Sequence, residues 1–142
     1  MTDAPDELAR RSAETMWQGD AASRMLGMSI VAVGPGTATV SMTVRKDMIN
    51  GWDLCHGGLV ASLADSAFAV ACNSHGTVTV ASGFDVSFLA AARLGDELVA
   101  MASERALRGR SGVYDVTVRR TSDDSVIAEF RGRSRATNRE IG

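Results

Sequence analysis

The chain predicts an α+β fold: a curved antiparallel sheet of five to six strands wrapped around one long central helix, with a further helix at the periphery. Three observations carry this expectation. The segment from about Gly57 to Asn73 is apolar on nearly every helical face, stretches that alternate apolar and polar residues lie on both sides of it, and the later stretches are joined by only a few residues each.

Residues 3 to about 24 are rich in Ala, Glu, Arg and Asp, with Leu8, Met16 and Trp17 spaced loosely along one helical face. This predicts a peripheral helix and sets residues 1–24, as an N-terminal helical extension, apart from a main domain over 25–142. From Gly36 the pattern turns to period two. Ala38, Val40, Met42 and Val44 alternate with Thr37, Thr39, Ser41 and Thr43, which marks a strand with one buried face. The Gly34-Pro35-Gly36 turn before it predicts a hairpin with residues 26–33. The central helix follows, with Leu59, Val60, Leu63, Ala64, Ala67, Phe68, Val70 and Ala71 spread around it. Four strands complete the set, over Val78–Ala90, Glu97–Leu107, Val113–Thr121 and Val126–Ala136, with separators short enough for antiparallel neighbours. A sheet covers only part of such a helix. The small faces of Ala61, Ala64 and Ala71 are therefore expected to meet another subunit.

With 142 residues and 45% hydrophobic content, the chain is long enough for one domain with a sizeable core. Its net charge of −2 argues against nucleic acid and anionic membranes as partners, so an anionic ligand would need a local basic patch. Cys55 and Cys72 are too few for a disulfide framework and sit in the apolar middle, which points to reduced thiols in a cytoplasmic protein. No apolar run reaches the length of a membrane span, and the acidic N-terminus, with Asp3, Asp6 and Glu7, does not read as a signal peptide.

Asp65 is the one Asp, Glu, Lys or Arg among the 31 residues from Leu54 to Phe84. A carboxylate in so apolar a neighbourhood is costly unless it is paired or put to use. Around it stand two runs. One is Met48-Ile49-Asn50-Gly51-Trp52-Asp53-Leu54-Cys55-His56-Gly57-Gly58, and the other is Leu63-Ala64-Asp65-Ser66-Ala67-Phe68-Ala69 with Ala71-Cys72-Asn73-Ser74 after it. Together they resemble the hotdog-fold acyl-CoA thioesterases, and within them the phenylacetic-acid-degradation (PaaI-type) branch. The resemblance extends over about residues 26–135 and takes in Phe88-Leu89, Gly95-Asp96, Gly112 to Asp115 and Phe130-Arg131-Gly132. The chain departs from the branch at Trp52, where a histidine is expected after Asn-Gly, and at Ala90-Ala91, where an Arg-Pro step is common.

Thioester hydrolysis needs a group that polarises the carbonyl, a group that activates water or attacks directly, and donors that hold the substrate. Gly57 and Gly58, in the first helical turn, leave backbone N–H groups unpaired and offer close approach, which reads as an oxyanion site; a tight turn into the helix is the plainer reading. Asp65 reads as general base or nucleophile, since partial burial makes a carboxylate a better proton acceptor. Its plainer reading is a residue facing a solvated groove or satisfied by the Ser62 or Ser66 hydroxyl. Asn50, in the loop before the helix, orients the catalytic water or the carboxylate, or else makes an ordinary Asn-Gly turn. His56 either caps the helix start or contacts the acyl thioester, and the resemblance favours the contact. Ser82, on the strand after the helix, faces the same pocket or is a routine strand serine.

Spacing adds a quaternary expectation. Gly57 and Asp65 are eight residues apart, hence roughly 12 Å along one helix, too far for both to touch one carbonyl centre. Two antiparallel helices about a two-fold axis bring Asp65 of one chain beside Gly57 of its partner. A homodimer with shared sites is therefore expected, and pairing of dimers into a homotetramer is expected from the resemblance. For the phosphates of coenzyme A, Arg93, Arg108 and Arg110 resemble the family's nucleotide-contacting loops, whereas Arg131, Arg133 and Arg135 read as a solvated strand face. No cofactor is expected, coenzyme A being part of the substrate. A metal site from Cys55, His56, Cys72 and His75 is disfavoured, because the pairs sit at opposite ends of a helix about 25 Å long.

The function expected is hydrolysis of an aryl-acyl-CoA, such as phenylacetyl-CoA or a hydroxylated derivative, or of a medium-chain acyl-CoA. Two alternatives stand beside it. A hotdog hydratase is weakened by the absence of a histidine between Ser66 and Ser74, and a non-catalytic acyl-CoA-binding or assembly module by the retention of Asp65 with both glycines.

Overall fold

The computed structural model describes residues 4–142. Two short helices open the chain, α1 over Ala4–Gln18 and α2 over Ala21–Met25. The single helix expected to about residue 24 is thus broken at Gly19-Asp20, because Asp20 adopts a non-helical backbone and its carboxylate accepts from Ser23 N at 2.9 Å, starting a new helix. Strands β1 (Ser29–Gly34) and β2 (Thr37–Thr43) form the expected hairpin. A 3-10 turn at Lys46–Met48 and a loop lead to α3, Gly57–Cys72, and four strands follow: β3 (Thr77–Phe88), β4 (Glu97–Arg108), β5 (Ser111–Arg120) and β6 (Val126–Glu140). β6 runs four residues beyond its expected end. Its polar tail stays in the sheet because Glu140 pairs back to Thr77.

All six strands join one antiparallel sheet in the order β1-β2-β4-β5-β6-β3. β3, next after α3 in the chain, crosses to the far edge and pairs with β6. The inward residues Val40 and Met42 of β2, Leu98 and Ala100 of β4, Val116 and Val118 of β5 and Phe130 of β6 close over α3. Phe68 on α3 is the centre of this packing, with ring centroids 5.5 Å from Tyr114 and 5.8 Å from Phe130. Its approach to the sheet requires Gly132, where a Cβ would lie 2.8 Å from the Phe68 ring.

The expectation for the alanine faces is corrected. Ala61, Ala64 and Ala71 are all buried within the chain, because the sheet curls further round the helix than its period alone reveals. The half-buried side of α3 carries Leu59, Ser62, Asp65, Ser66 and Ala69 instead, a stripe at helical spacing. α1 packs on β1 with Ala9 and Ala13 buried, leaving a cavity of about 520 Å3 lined by Trp17, Met28, Ile30 and Val33 and by no candidate site residue. Among the described residues no helix is long and apolar enough to cross a membrane.

Candidate active site

The start of α3 is set by the loop before it. Asn50 Oδ1 accepts from the N–H groups of Trp52 at 2.8 Å and Leu54 at 3.1 Å, while Asn50 N donates to Leu54 O at 2.7 Å. Asp53 takes a left-handed backbone, φ 61°, to close this turn. The returning chain is held at Cys55 N, which donates to Ala92 O, and at His56 N, which donates to Met48 O. His56 then occupies the N-cap position with an exposed side chain that makes no cap bond.

Leu59 and Val60 donate to His56 O, whereas the N–H groups of Gly57 and Gly58 have no acceptor among the described residues. Two bare amides therefore point out of the positive end of a 16-residue helix. Gly57 borders a cavity of about 420 Å3 lined by Asn50, Leu54, Val60, Phe88 and Leu89. A Cβ on Gly57 would come within 2.9 Å of Phe88, while one on Gly58 would meet nothing within 4 Å. The walls are mostly apolar and Gly57, with its bare amide, is part of them, which suits an acyl group whose carbonyl points at the helix.

Asp65 stands two turns further on, half-buried and without a hydrogen bond from any described residue. Neither serine satisfies it: the Ser62 hydroxyl donates to Gly58 O at 2.8 Å, and Ser66 Oγ lies 2.8 Å from Ser23 Oγ. Burial pushes its carboxyl above the ordinary carboxylate range, and the nearby Asp20 adds to the effect. Asp65 borders its own cavity of about 210 Å3, with Asp20, Ser23, Leu26 and Met28. One chain thus holds the bare amides and the unpaired carboxylate in two separate cavities.

The remaining candidates divide by position. Arg93 is exposed beside the Gly57 cavity, opposite Leu54, and its guanidinium has no ion partner among the described residues. Arg108 and Arg110 are exposed at the far end of the β4–β5 hairpin, about 30 Å along the strands from the Leu98 end near Ala91. Ser82 is exposed on β3 and donates to Arg133 O at 3.1 Å, away from both cavities. Trp52 is 83% exposed beside the Asn50 turn. Arg131 forms a paired-oxygen ion bridge with Asp115, and Arg133 pairs with Asp85 at 2.9 Å. Asp115 is held below the usual carboxylate range by Arg131. Cys55 and Cys72 are buried free thiols, and burial, with Asp65 nearby, pushes Cys72 up to about 12. Among the described residues no three His, Cys, Asp or Glu side chains converge as a metal site would need. Phe88 and Leu89, part of the resemblance but given no place in the site from sequence, line one cavity, and Asp20 and Ser23, which the sequence did not single out together, line the other. Only the spacing of Asp20 and Ser23, a cap and its N3 residue, left a local signal.

A sheet curled round a helix that opens on two bare glycine amides and carries one unpaired carboxylate defines the hotdog thioester hydrolases. Residues 53–127 match the thioesterase superfamily, and the chain belongs to it. Over 126 residues it is 43% identical to the acyl-coenzyme A thioesterase PaaI of Escherichia coli, covering 89% of each chain. It is 35% identical to a putative esterase of Archaeoglobus fulgidus, again over 89% of this chain and 81% of that one. The structure of the E. coli PaaI protein from the phenylacetic acid degradation operon superposes with a TM-score of 0.95 at 39% identity, covering 98% of this chain and all of that one.

Proposed function

We propose that the protein hydrolyses an acyl-CoA thioester to the free acid and coenzyme A at sites shared between two subunits. The observation that carries this reading is the separation of the Gly57 amide and the Asp65 carboxylate into two cavities of one chain, each lacking an internal partner. A two-fold partner supplies what each lacks. β3 supports such pairing: it is a 12-residue edge strand with Val80, Phe84 and Phe88 exposed, an apolar edge that a lone soluble chain would not keep bare.

In this site the thioester carbonyl accepts from Gly57 N–H, with Gly58 N–H alongside, while Asp65 of the other chain faces the carbonyl carbon. As general base, Asp65 takes a proton from water as the water oxygen bonds to that carbon. The resulting oxyanion rests on the glycine amides and the helix dipole, and its collapse breaks the C–S bond and releases coenzyme A as thiolate. As nucleophile, the carboxylate bonds to the same carbon, expels the same thiolate, and water then cleaves the anhydride. Asn50 acts by holding the loop that aims the Gly57 amide. His56, exposed at the helix start, contacts the substrate near its thioester, and Arg93 meets coenzyme A phosphates at the cavity mouth. Ser82, Arg108 and Arg110 lie too far from Gly57 of their own chain, so any substrate contact they make is with the partner's site. Coenzyme A enters as substrate, and the reaction as written uses no other cofactor.

Leu54, Phe88 and Leu89 favour an aryl or medium-chain acyl group. The operon of the E. coli relative favours phenylacetyl-CoA or a hydroxylated derivative. A dimer of dimers working in the cytoplasm, where acyl-CoA is made and used, completes the proposal, with residues 1–24 as a helical extension on a thioesterase domain over 25–142.

The test is release of free thiol from a panel of acyl-CoA thioesters that includes phenylacetyl-CoA. Hydrolysis by the native protein that falls about 100- to 10,000-fold in Asp65→Ala is expected. No thiol release from any thioester by the folded oligomer would overturn the proposal in favour of an acyl-CoA-binding module.

A further inference from the structure

The proposed chemistry leaves unused the small polar cluster that α2 presses against α3. Asp20 is the N-cap of α2, and its two carboxylate oxygens are both engaged by Ser23: Oδ1 accepts from Ser23 N at 2.9 Å and Oδ2 from the Ser23 hydroxyl at 2.7 Å. Ser23, 3% exposed, also touches Ser66 Oγ at 2.8 Å, and Ser66 follows Asp65 on α3. A hydroxyl has one hydrogen to give. Since Ser23 gives its hydrogen to the Asp20 carboxylate, Ser66 is the donor in the Ser66–Ser23 contact. The Ser66 hydrogen is thereby directed toward α2, which ties α3 to the cap of α2.

Capping a five-residue helix accounts for the bond to Ser23 N but not for the rest. Asp20 and Asp65 border the same cavity, and among the described residues no arginine, lysine or histidine lines it. The groups that face Asp65 there are Asp20 and Ser23 of α2, the apolar Leu26 and Met28, and Ser62 and Ser66 of its own helix. Cys72, on the same helix, is the other titratable group that feels its charge.

We propose that Asp20 is a positioning residue for the Asp65 site: fixed by Ser23 at the start of α2, it holds its negative charge on the cavity it shares with the Asp65 carboxylate. That charge leaves Asp65 a stronger proton acceptor than its own helix would make it. The N-terminal segment thus acts on the reaction centre without touching substrate. The inference rests on Asp65 being the reacting carboxylate for its meaning in catalysis, but the coupling between the two carboxylates is measurable without turnover.

Asp20→Asn keeps the side-chain shape and caps a helix as well as Asp does, while removing the charge. The Asp65 carboxyl carbon, assigned in a 13C-labelled protein by its loss in Asp65→Asn, is titrated by NMR in the native chain and in Asp20→Asn. In parallel, the acid limb of kcat/KM for acyl-CoA hydrolysis is measured in both. The expected result is a lower midpoint for Asp65 in Asp20→Asn, with the acid limb moving to lower pH alongside it and the unfolding temperature nearly unchanged. Asp20→Ser, a second good cap without charge, is expected to do the same and serves if Asp20→Asn folds poorly. An Asp65 midpoint that stays at its native value in the folded variants overturns the inference, whatever hydrolysis does. A midpoint that moves while the acid limb stays put upholds the hold of Asp20 on Asp65 and overturns the reading of Asp65 as the reacting group.

Discussion

Among the described residues none donates a hydrogen bond to Asp65 and none pairs a cation with it, and its raised proton affinity in this half-buried position has a thermodynamic consequence. A carboxyl whose folded affinity lies above its unfolded one near 3.8 holds more protons in the native state, so its contribution to stability is complete below that pH and is lost as pH rises through the folded midpoint. Asp65→Asn is accordingly expected to stabilise the fold at neutral pH, with the gain vanishing below about pH 3.8; paired denaturant melts across that range check it. A residue that destabilises its own fold while serving a site is the usual signature of function over stability. Gly57 and Gly58 make a contrasting pair. A methyl at Gly57 meets the outer end of the Phe88 ring, so Gly57→Ala is expected to cost about 1 kcal/mol in stability and to lower activity by pushing the ring across the cavity. Phe88→Ala in the same chain should restore much of that activity, since the amide itself is kept. Gly58→Ala, with open space around it, should alter the melting temperature little.

The elements owe their placement to a few long-range contacts. α3 is seated by Phe68 between Tyr114 and Phe130, over the bare backbone of Gly132. Phe68→Ala is expected to cost about 3–5 kcal/mol, read from the denaturant midpoint, because the sheet is too stiff to close over the void. The loop that aims α3 depends on one side chain. Asn50→Ala leaves the N–H groups of Trp52 and Leu54 without their acceptor, at about 0.5–1.5 kcal/mol for each bond. Because that loop holds the Gly57 amide, kcat should fall more than KM rises. Asn50→Asp, which retains the acceptor oxygen, should keep the fold and so separates loop geometry from any direct work by the amide.

Across the molecule, the two halves of the site point to a partner. Gly57 and Asp65 cannot meet within one helix, and β3 offers the long apolar edge along which two sheets can join. Shared sites make a prediction that a single-chain site does not. Asp65→Asn and Gly57→Pro, each inactive alone, should recover about a quarter of native activity when co-refolded in equal amounts, because half the dimers are mixed and each mixed dimer has one intact site. Proline suits the first helical position and removes the N–H outright. Failure to recover activity despite mixed dimers, detected by mass, would place the whole site in one chain. A charge on the β3 edge, as in Phe84→Asp, should yield smaller particles in sedimentation and abolish turnover.

Much of this was legible in the linear chain. The all-round apolar helix, the period-two strands and the short connectors determined the fold class, since burial imposes its period on sequence locally. The Gly-Gly step and the lone Asp65 marked the candidate site, because a charge in an apolar run and a side-chain-free helix start are both visible without knowing what lies nearby. Tertiary structure alone decided the rest. The sheet covered Ala61, Ala64 and Ala71, which the helical pattern had left for a partner, because the curl of a sheet is a sum of twists along strands far apart in sequence. It also carried β3 past three strands to the far edge, built a cavity beside each of Gly57 and Asp65, whose separation the spacing already gave, and set Asp20, 45 residues upstream, on the same cavity as Asp65. Each of these is a contact between segments whose sequences bear no local mark of one another, and only chain folding brings them within range.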